Sequence, residues 1–341
     1  MADVAEAAGV SAQTVSRVAN GSTGVVESTR QQVLAAMRRL GYRPNSAARA
    51  LKRGEFRTLG VILSNLSTIG NMRTLEAVVS SAALAGYATT LMPVSVPTQD
   101  AVQGAFTRLD ELTVDGVVII MEVHLLDTAT VALPPHAPVV VVDSHAHDRY
   151  TVVDSDQAGG AAAAVRHLLA LGHETVRHVA GPEGSFSAER RVERWRSVLA
   201  EAGRAVPEPL RGDWTAESGY RAGRRIAADP DCTAVFVAND QMALGVLRAL
   251  HEAGRRVPDD ISVVGFDDIP EAASFIPPLT TVRQDFAGVG QRGVEDLLRQ
   301  IRNEKPARST TLVPTRLIVR RSTAPPPGPR DNSTDGRGRI V

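Results

Sequence analysis

From residue 58 onward the chain alternates apolar runs of about five residues with amphipathic stretches, and this alternation restricts the fold more than any other feature. The runs cover 59–63, 116–120, 139–142, 176–180, 234–238 and 261–265. Helical periodicity marks 75–84, 102–112, 162–171, 190–202, 217–227 and 242–253. Short strands that are apolar on both faces must be covered on both faces, which predicts parallel sheets flanked by helices. The length of 341 residues fits two or three domains. About 265 residues of alternating pattern suit two doubly wound lobes better than one.

Residues 1–57 follow a different pattern, that of short helices. Val4, Ala5 and Ala8 lie at helical spacing, and Gly9-Val10 interrupts them. Ser11 is placed to cap a second helix over 12–18, ended by Asn20-Gly21. A third runs from about 29 to 40 with an apolar stripe, and Val26 stands where a capping hydroxyl is expected. Two short helices joined by a tight turn, the second capped, are a helix-turn-helix. Its second helix exposes Gln13, Ser16 and Arg17, with Val15 and Val18 turned inward. Gln pairs with adenine and Arg with guanine at two points each in the major groove. Ser11, Thr14 and Asn20 are placed for phosphate contacts, which orient the helix without reading sequence.

Charge agrees with that reading. Formal net charge is zero, but residues 1–57 carry nine basic side chains against four acidic ones, a local +5. Such asymmetry suits either a polyanion partner or a solvated basic face. A single cysteine, Cys232, excludes a disulfide framework. No apolar run reaches the roughly 18 residues of a membrane span, and no signal-peptide pattern opens the chain, so a soluble, cytoplasmic protein is expected. Dinucleotide, phosphate-loop and nucleophile-elbow motifs are absent from the strand ends, which argues against an enzyme. No cofactor is expected, and His145 and His147 beside Asp148 read as a polar loop rather than a metal site.

The strings D-V-A-E-A-A-G-V-S-A-Q-T-V-S-R-V-A-N and Y-R-P-N-S-A-A-R-A-L resemble the lactose/galactose repressor family. The later strings A-L-G-H, V-A-N-D-Q-M-A-L-G, D-D-I-S-V-V-G-F-D-D and I-P-P-L-T-T-V-R-Q-D-F are similar to it too, and the resemblance spans about residues 2–322. It implies an N-terminal all-α helix-turn-helix headpiece and a periplasmic-binding-protein-like α/β core of two doubly wound parallel-sheet lobes. It implies that Ala12, Gln13 and Arg17 face base edges. Residues 45–52 correspond to a hinge helix, with Asn45 at its start and Leu51 as the wedge between base pairs. Family members carry a few residues ahead of Asp3, so the first helix is expected to be poorly capped, at a cost of about 1 kcal/mol.

In doubly wound lobes, ligands bind at the carboxyl ends of the strands. Ser64, Asp143, Asn239 and Asp267 each follow an apolar run. The resemblance implies that Asp143, Arg191, Asn239 and Asp267 hydrogen-bond an effector, with Trp214 and Phe286 packed on it. Polar rims around an aromatic face suit a sugar. Each has a plainer reading: Trp214 as interlobe core, and Asp240 as the cap of the helix near 242–253.

The expected domains are a headpiece (1–44), a hinge and linker (45–57), a two-lobed effector and dimerisation domain (58–322) and a disordered tail (323–341). The expected function is that of a repressor of carbohydrate-utilisation genes, bound to double-stranded operator DNA as a homodimer and controlled by a sugar-like effector. The alternative is a sugar-binding or sugar-modifying protein of the same two-lobed fold without regulatory DNA binding. The run Pro325-Pro326-Pro327 cannot continue a helix, so no C-terminal coiled coil is expected.

Overall fold

The computed structural model describes residues 1–20, 22–42, 55–64, 66, 68–94, 99–121, 138–142, 150–304 and 310–328. Asn45, Leu51, Asp143 and the His145/His147 loop lie outside them. The chain divides into two compact units, Met1–Arg57 and Thr58–Val341.

The first unit holds α1 (Ala2–Ala7), α2 (Ala12–Ala19) and α3 (Glu27–Arg39). Val4, Val15, Val18, Val33 and Met37 meet in its core. The turn between α1 and α2 uses Gly9 at φ +62°, a conformation that costs glycine little. Ser11 Oγ accepts the Thr14 N–H, the expected cap, whereas α1 and α3 lack side-chain caps. The third helix begins two residues earlier than its periodicity suggested.

In the second unit, a first sheet joins β1 (Thr58–Leu63), β2 (Ala88–Pro93), β3 (Gly116–Ile120), β4 (Val139–Val142), β5 (Thr151–Ser155) and β11 (Thr310–Val313). Their order is β11-β5-β4-β3-β1-β2, all parallel. Register aligns Val61, Val118 and Val140 in one row, each fully buried. The faces are covered by α4 (Ile69–Leu84) on one side and α5 (Gln99–Glu111) on the other. The second sheet joins β6 (Arg177–Ala180), β7 (Leu210–Arg211), β8 (Ala234–Val237), β9 (Ser262–Asp267), β10 (Thr280–Arg283) and β12 (Arg316–Ile318). Its order is β12-β10-β9-β8-β6-β7, parallel except for β12. One face packs on α6 (Gln157–Ala170) and α7 (Phe186–Glu201), the other on α8 (Ala216–Ala227) and α9 (Asp240–Glu252).

The chain crosses between lobes three times. After β5 it enters α6, which packs on the second sheet. After β10 it enters α10 (Phe286–Ile301), whose Val289, Val294 and Leu297 pack on the first sheet. Finally β11 leads directly to β12. The two-lobed core therefore matches the expectation, but α10 and six of the twelve strands among the described residues are not marked by the apolar runs.

The C-terminal boundary needs correction. Ala324 N–H donates to Ser262 Oγ (3.0 Å), and His173 Nε2 lies 3.0 Å from the Ala324 carbonyl. His167 Nε2 lies 3.0 Å from Thr323 Oγ1. Thr323 and Ala324 are thus part of the second lobe: proline-rich composition does not prevent a segment from docking when its backbone finds buried partners.

Candidate functional site

On α2, Ser11, Ala12, Gln13 and Arg17 are exposed, and Thr14, Ser16 and Asn20 are half-buried. Val15 and Val18 anchor the opposite face. Four of the polar side chains are engaged locally in two pairs: Ser11 with Thr14, and Asn20 Nδ2 with Ser16 Oγ at 3.3 Å. Gln13 and Arg17 project from the same exposed face, one turn apart.

The second site is a solvent-open cavity of about 60 Å³ at the strand ends of both lobes. Arg191, Trp214, Asn239, Asp267 and Phe286 line it, so five of the seven expected effector residues converge. Ser64, at the end of β1, is half-buried and is not among the lining residues described. The wall on that side comes instead from Thr68, Gly70, Asn71 and Thr74 at the start of α4. Thr68 Oγ1 is buried without a hydrogen-bond partner among the described residues.

A chain of hydrogen bonds crosses the cavity wall. Arg191 Nε and Nη2 donate to Gln157 Oε1 (2.9 and 2.7 Å), and Nη1 donates to the Ala238 carbonyl. Gln157 Nε2 donates to Asp154 Oδ1 (3.3 Å) and to Gln284 Oε1 (3.2 Å). Gln284 Nε2 donates in turn to Asp267 Oδ1 (2.7 Å). An amide has one donor end and one acceptor end, so the guanidinium at one terminus and carboxylates at the others fix how both glutamines point. The Arg191 guanidinium lies 3.9 Å from the Phe266 ring centroid and 5.5 Å from that of Trp214.

Local structure explains the rest of the site. Trp214 fits because Gly181 faces it: a Cβ there would come within 2.4 Å of the indole. Asn239 caps α9, with Oδ1 accepting the Met242 N–H (2.9 Å) and Nδ2 donating to the Trp214 carbonyl (3.1 Å). Much of its hydrogen-bonding capacity therefore holds the aromatic platform. Asp240 is not the cap. It is fully buried, accepting from Thr281 Oγ1 (2.6 Å) and the Ile269 N–H (2.9 Å), because a carboxylate one residue inside the helix points into the lobe. Burial, with Asp267 nearby, holds its carboxyl well above the usual carboxylate range. Asp268 is clamped by Arg283 and Arg320, both at 2.6 Å.

Asp154, Gln157 and Gln284 were missed by the sequence reading. Asp154 stands inside a strand, and the two glutamines sit at the crossovers, where composition carries no mark. The signal available was Gln284 two residues ahead of Phe286 in an already quoted motif. Burial pushes the Asp154 carboxyl up to about 6, opposed by hydrogen bonds from Gln157 and Ser155.

Residues 1–45 match the lacI family of bacterial regulatory proteins, and residues 165–323 match a periplasmic binding protein-like domain. The chain is 36% identical over 326 residues to the lactose operon repressor of Escherichia coli (strain K12), covering 95% of this chain and 90% of that one. It resembles the crystal structure of the lac repressor dimer bound to operator and the anti-inducer ONPF with a TM-score of 0.85 and 35% identity, covering 94% of this chain and 98% of that one. The complex of the transcriptional regulator CelR with cellobiose is similar at a TM-score of 0.70 and 30% identity, over 94% of this chain and 98% of that one.

Proposed function

Because the chain belongs to the lacI family of bacterial regulatory proteins, it is a DNA-binding transcriptional repressor under small-molecule control, and we propose that its effector is a sugar-like compound held in the interlobe cavity. The observation that carries this is the cavity lining: Arg191, Asp267, Gln157 and Gln284 offer hydrogen bonds around Trp214 and Phe286. Hydroxyls need the polar groups, and ring C–H faces need the aromatics. Two similar structures are described with small ligands, ONPF in one and cellobiose in the other, which supports a sugar-like effector here.

Further proposals concern the DNA end of the molecule. Gln13 and Arg17 read bases with Ala12 beside them, Ser16 stands on the same DNA-facing side, and Ser11, Thr14 and Asn20 hold phosphates. Asn45 and Leu51 belong to the hinge contact with the duplex. Two copies pair through their lobes, matching two recognition helices to two half-sites on one face of DNA. Such a protein acts in the cytoplasm, where its operator is, and its cycle contains no catalytic step. Among the described residues no helix is long and apolar enough to cross a membrane.

Thermal unfolding of the purified chain against a sugar library tests the effector, since a ligand at 100 times its Kd adds about 2.7 kcal/mol of stability. A stabilising sugar should also change operator affinity. A sugar that stabilises the chain without altering DNA binding would contradict a regulatory role.

A further inference from the structure

Asp154 sits within β5, next to the first crossover, and lines the effector cavity at 5% exposure. Its Oδ1 accepts from the Ser155 N–H (2.6 Å) and from Gln157 Nε2 (3.3 Å). No hydrogen bond among the described residues reaches Oδ2, which leaves half of a buried carboxylate's acceptor capacity open at the cavity wall.

Among the described residues the charges around it are few. Arg190 and Arg191 face it from α7 without forming an ion pair to it among the described residues, and Asp267 stands beyond Gln157 and Gln284. Arg191 spends donors on Gln157 and Ala238. Among the described residues the cavity wall thus holds two carboxylates, Asp154 and Asp267, and one guanidinium. A negatively charged substituent entering it meets two acceptors that cannot donate to it, whereas a hydroxyl donates to either.

We infer that Asp154 is a specificity-determining residue: its open Oδ2 accepts a hydrogen bond from a hydroxyl of an uncharged ligand and disfavours the same skeleton bearing an acid. This rests on the sugar-like reading of the cavity and goes beyond it by fixing the ligand's charge and the residue that senses it. Since burial holds the Asp154 carboxyl near 6, lowering the pH through that value protonates the acceptor. Affinity for the neutral ligand therefore falls on acidification, about tenfold one unit below the pKa if only the ionised form binds.

The test is calorimetry on the full chain with galactose, glucose, lactose and cellobiose, and with galacturonate and glucuronate as charged congeners, at pH 7.5 and pH 5. The expected result is that a neutral sugar binds, more weakly at pH 5, and that its charged congener binds at least 100-fold more weakly. Asp154→Asn should weaken the neutral sugar about tenfold or more, abolish the pH dependence and narrow the gap to the congener. Wild-type affinity in Asp154→Asn, or a congener that binds as well as the neutral sugar, would overturn the inference while leaving a sugar cavity. Binding by no member of the set would overturn the sugar reading itself, and this inference with it. Should Asp154→Asn fail to fold, the wild-type pH profile decides, and a flat profile counts against Asp154.

Discussion

Replacing Arg191 by methionine tests whether the hydrogen-bond chain across the cavity is built around its guanidinium. Methionine retains most of the apolar stem that lies over Phe266, so the change isolates the polar head. Among the described residues two buried acceptors lose their donors, Gln157 Oε1 and the Ala238 carbonyl. Each stranded acceptor costs about 1–3 kcal/mol, and release of a desolvated guanidinium offsets part of that, for a net loss of about 2–4 kcal/mol. At about 2–4 °C per kcal/mol, the melting temperature should drop by about 4–16 °C. The change should also raise the Asp154 carboxyl further, because Arg191 is one of the charges holding it down. Arg191→Lys keeps the charge without the fork, and should restore part of the stability but not the grip on Gln157. Thermal unfolding and operator titration with and without effector are the assays. A melting temperature within about 1 °C of wild type together with an intact effector response would refute the reasoning, since Gln157 would then be held by other means.

Three other outcomes follow from the same structure. Arg17→Ala should lose about 1–3 kcal/mol on the operator and far less on random DNA; equal losses on both would make Arg17 a phosphate contact. Asp240 holds a proton in the fold that the unfolded chain releases above about pH 4, so its contribution to stability declines as pH rises from there toward its folded pKa. Asp240→Asn should flatten that decline, and chemical denaturation from pH 4 to pH 8 would show parallel curves if the carboxyl were ionised in the fold. Truncation after Gly328 should leave the melting temperature unchanged, whereas truncation after Ser322 should cost about 2–4 kcal/mol through the lost Thr323 and Ala324 hydrogen bonds. Equal melting temperatures for the two would return residues 323–328 to the tail.

How much of this was legible depended on how each residue is held. Strands such as β3 and β4 announce themselves because both faces are buried, which forces unbroken apolar runs. The edge strand β2 does not, since Ala88, Leu91 and Pro93 are exposed and threonines fill its middle. The helix α10 hid behind Gly288, Gly290 and Gly293, which weaken its periodic pattern. Gly290 is there because a Cβ would come within 2.4 Å of Ala77 on α4, a tertiary reason that local propensity cannot express. At the cavity, residues directly after apolar runs were readable because strand ends mark ligand sites. Asp154 and Gln157 were not, because only the crossover between lobes brings them beside Arg191. Asn239 was identified as a site residue, but its capping of α9 was assigned to its neighbour, a shift of one position that sequence alone rarely resolves.

Trp214 and Asp267 both hold positive φ, +72° and +111°, where a side chain is strained. Such strain costs of the order of 1–3 kcal/mol per residue and persists only where surroundings enforce it. At Asp267 glycine would relieve the backbone while deleting the carboxylate, along with the hydrogen bond from Gln284 that it accepts. With Asp267 in its proposed effector role, selection for durability alone would thus drift toward effector blindness at this position. Variants that silence their genes permanently need not be damaged proteins; some will outlast the parent, and a screen that sorts clones by heat resistance will enrich for deafness to the signal.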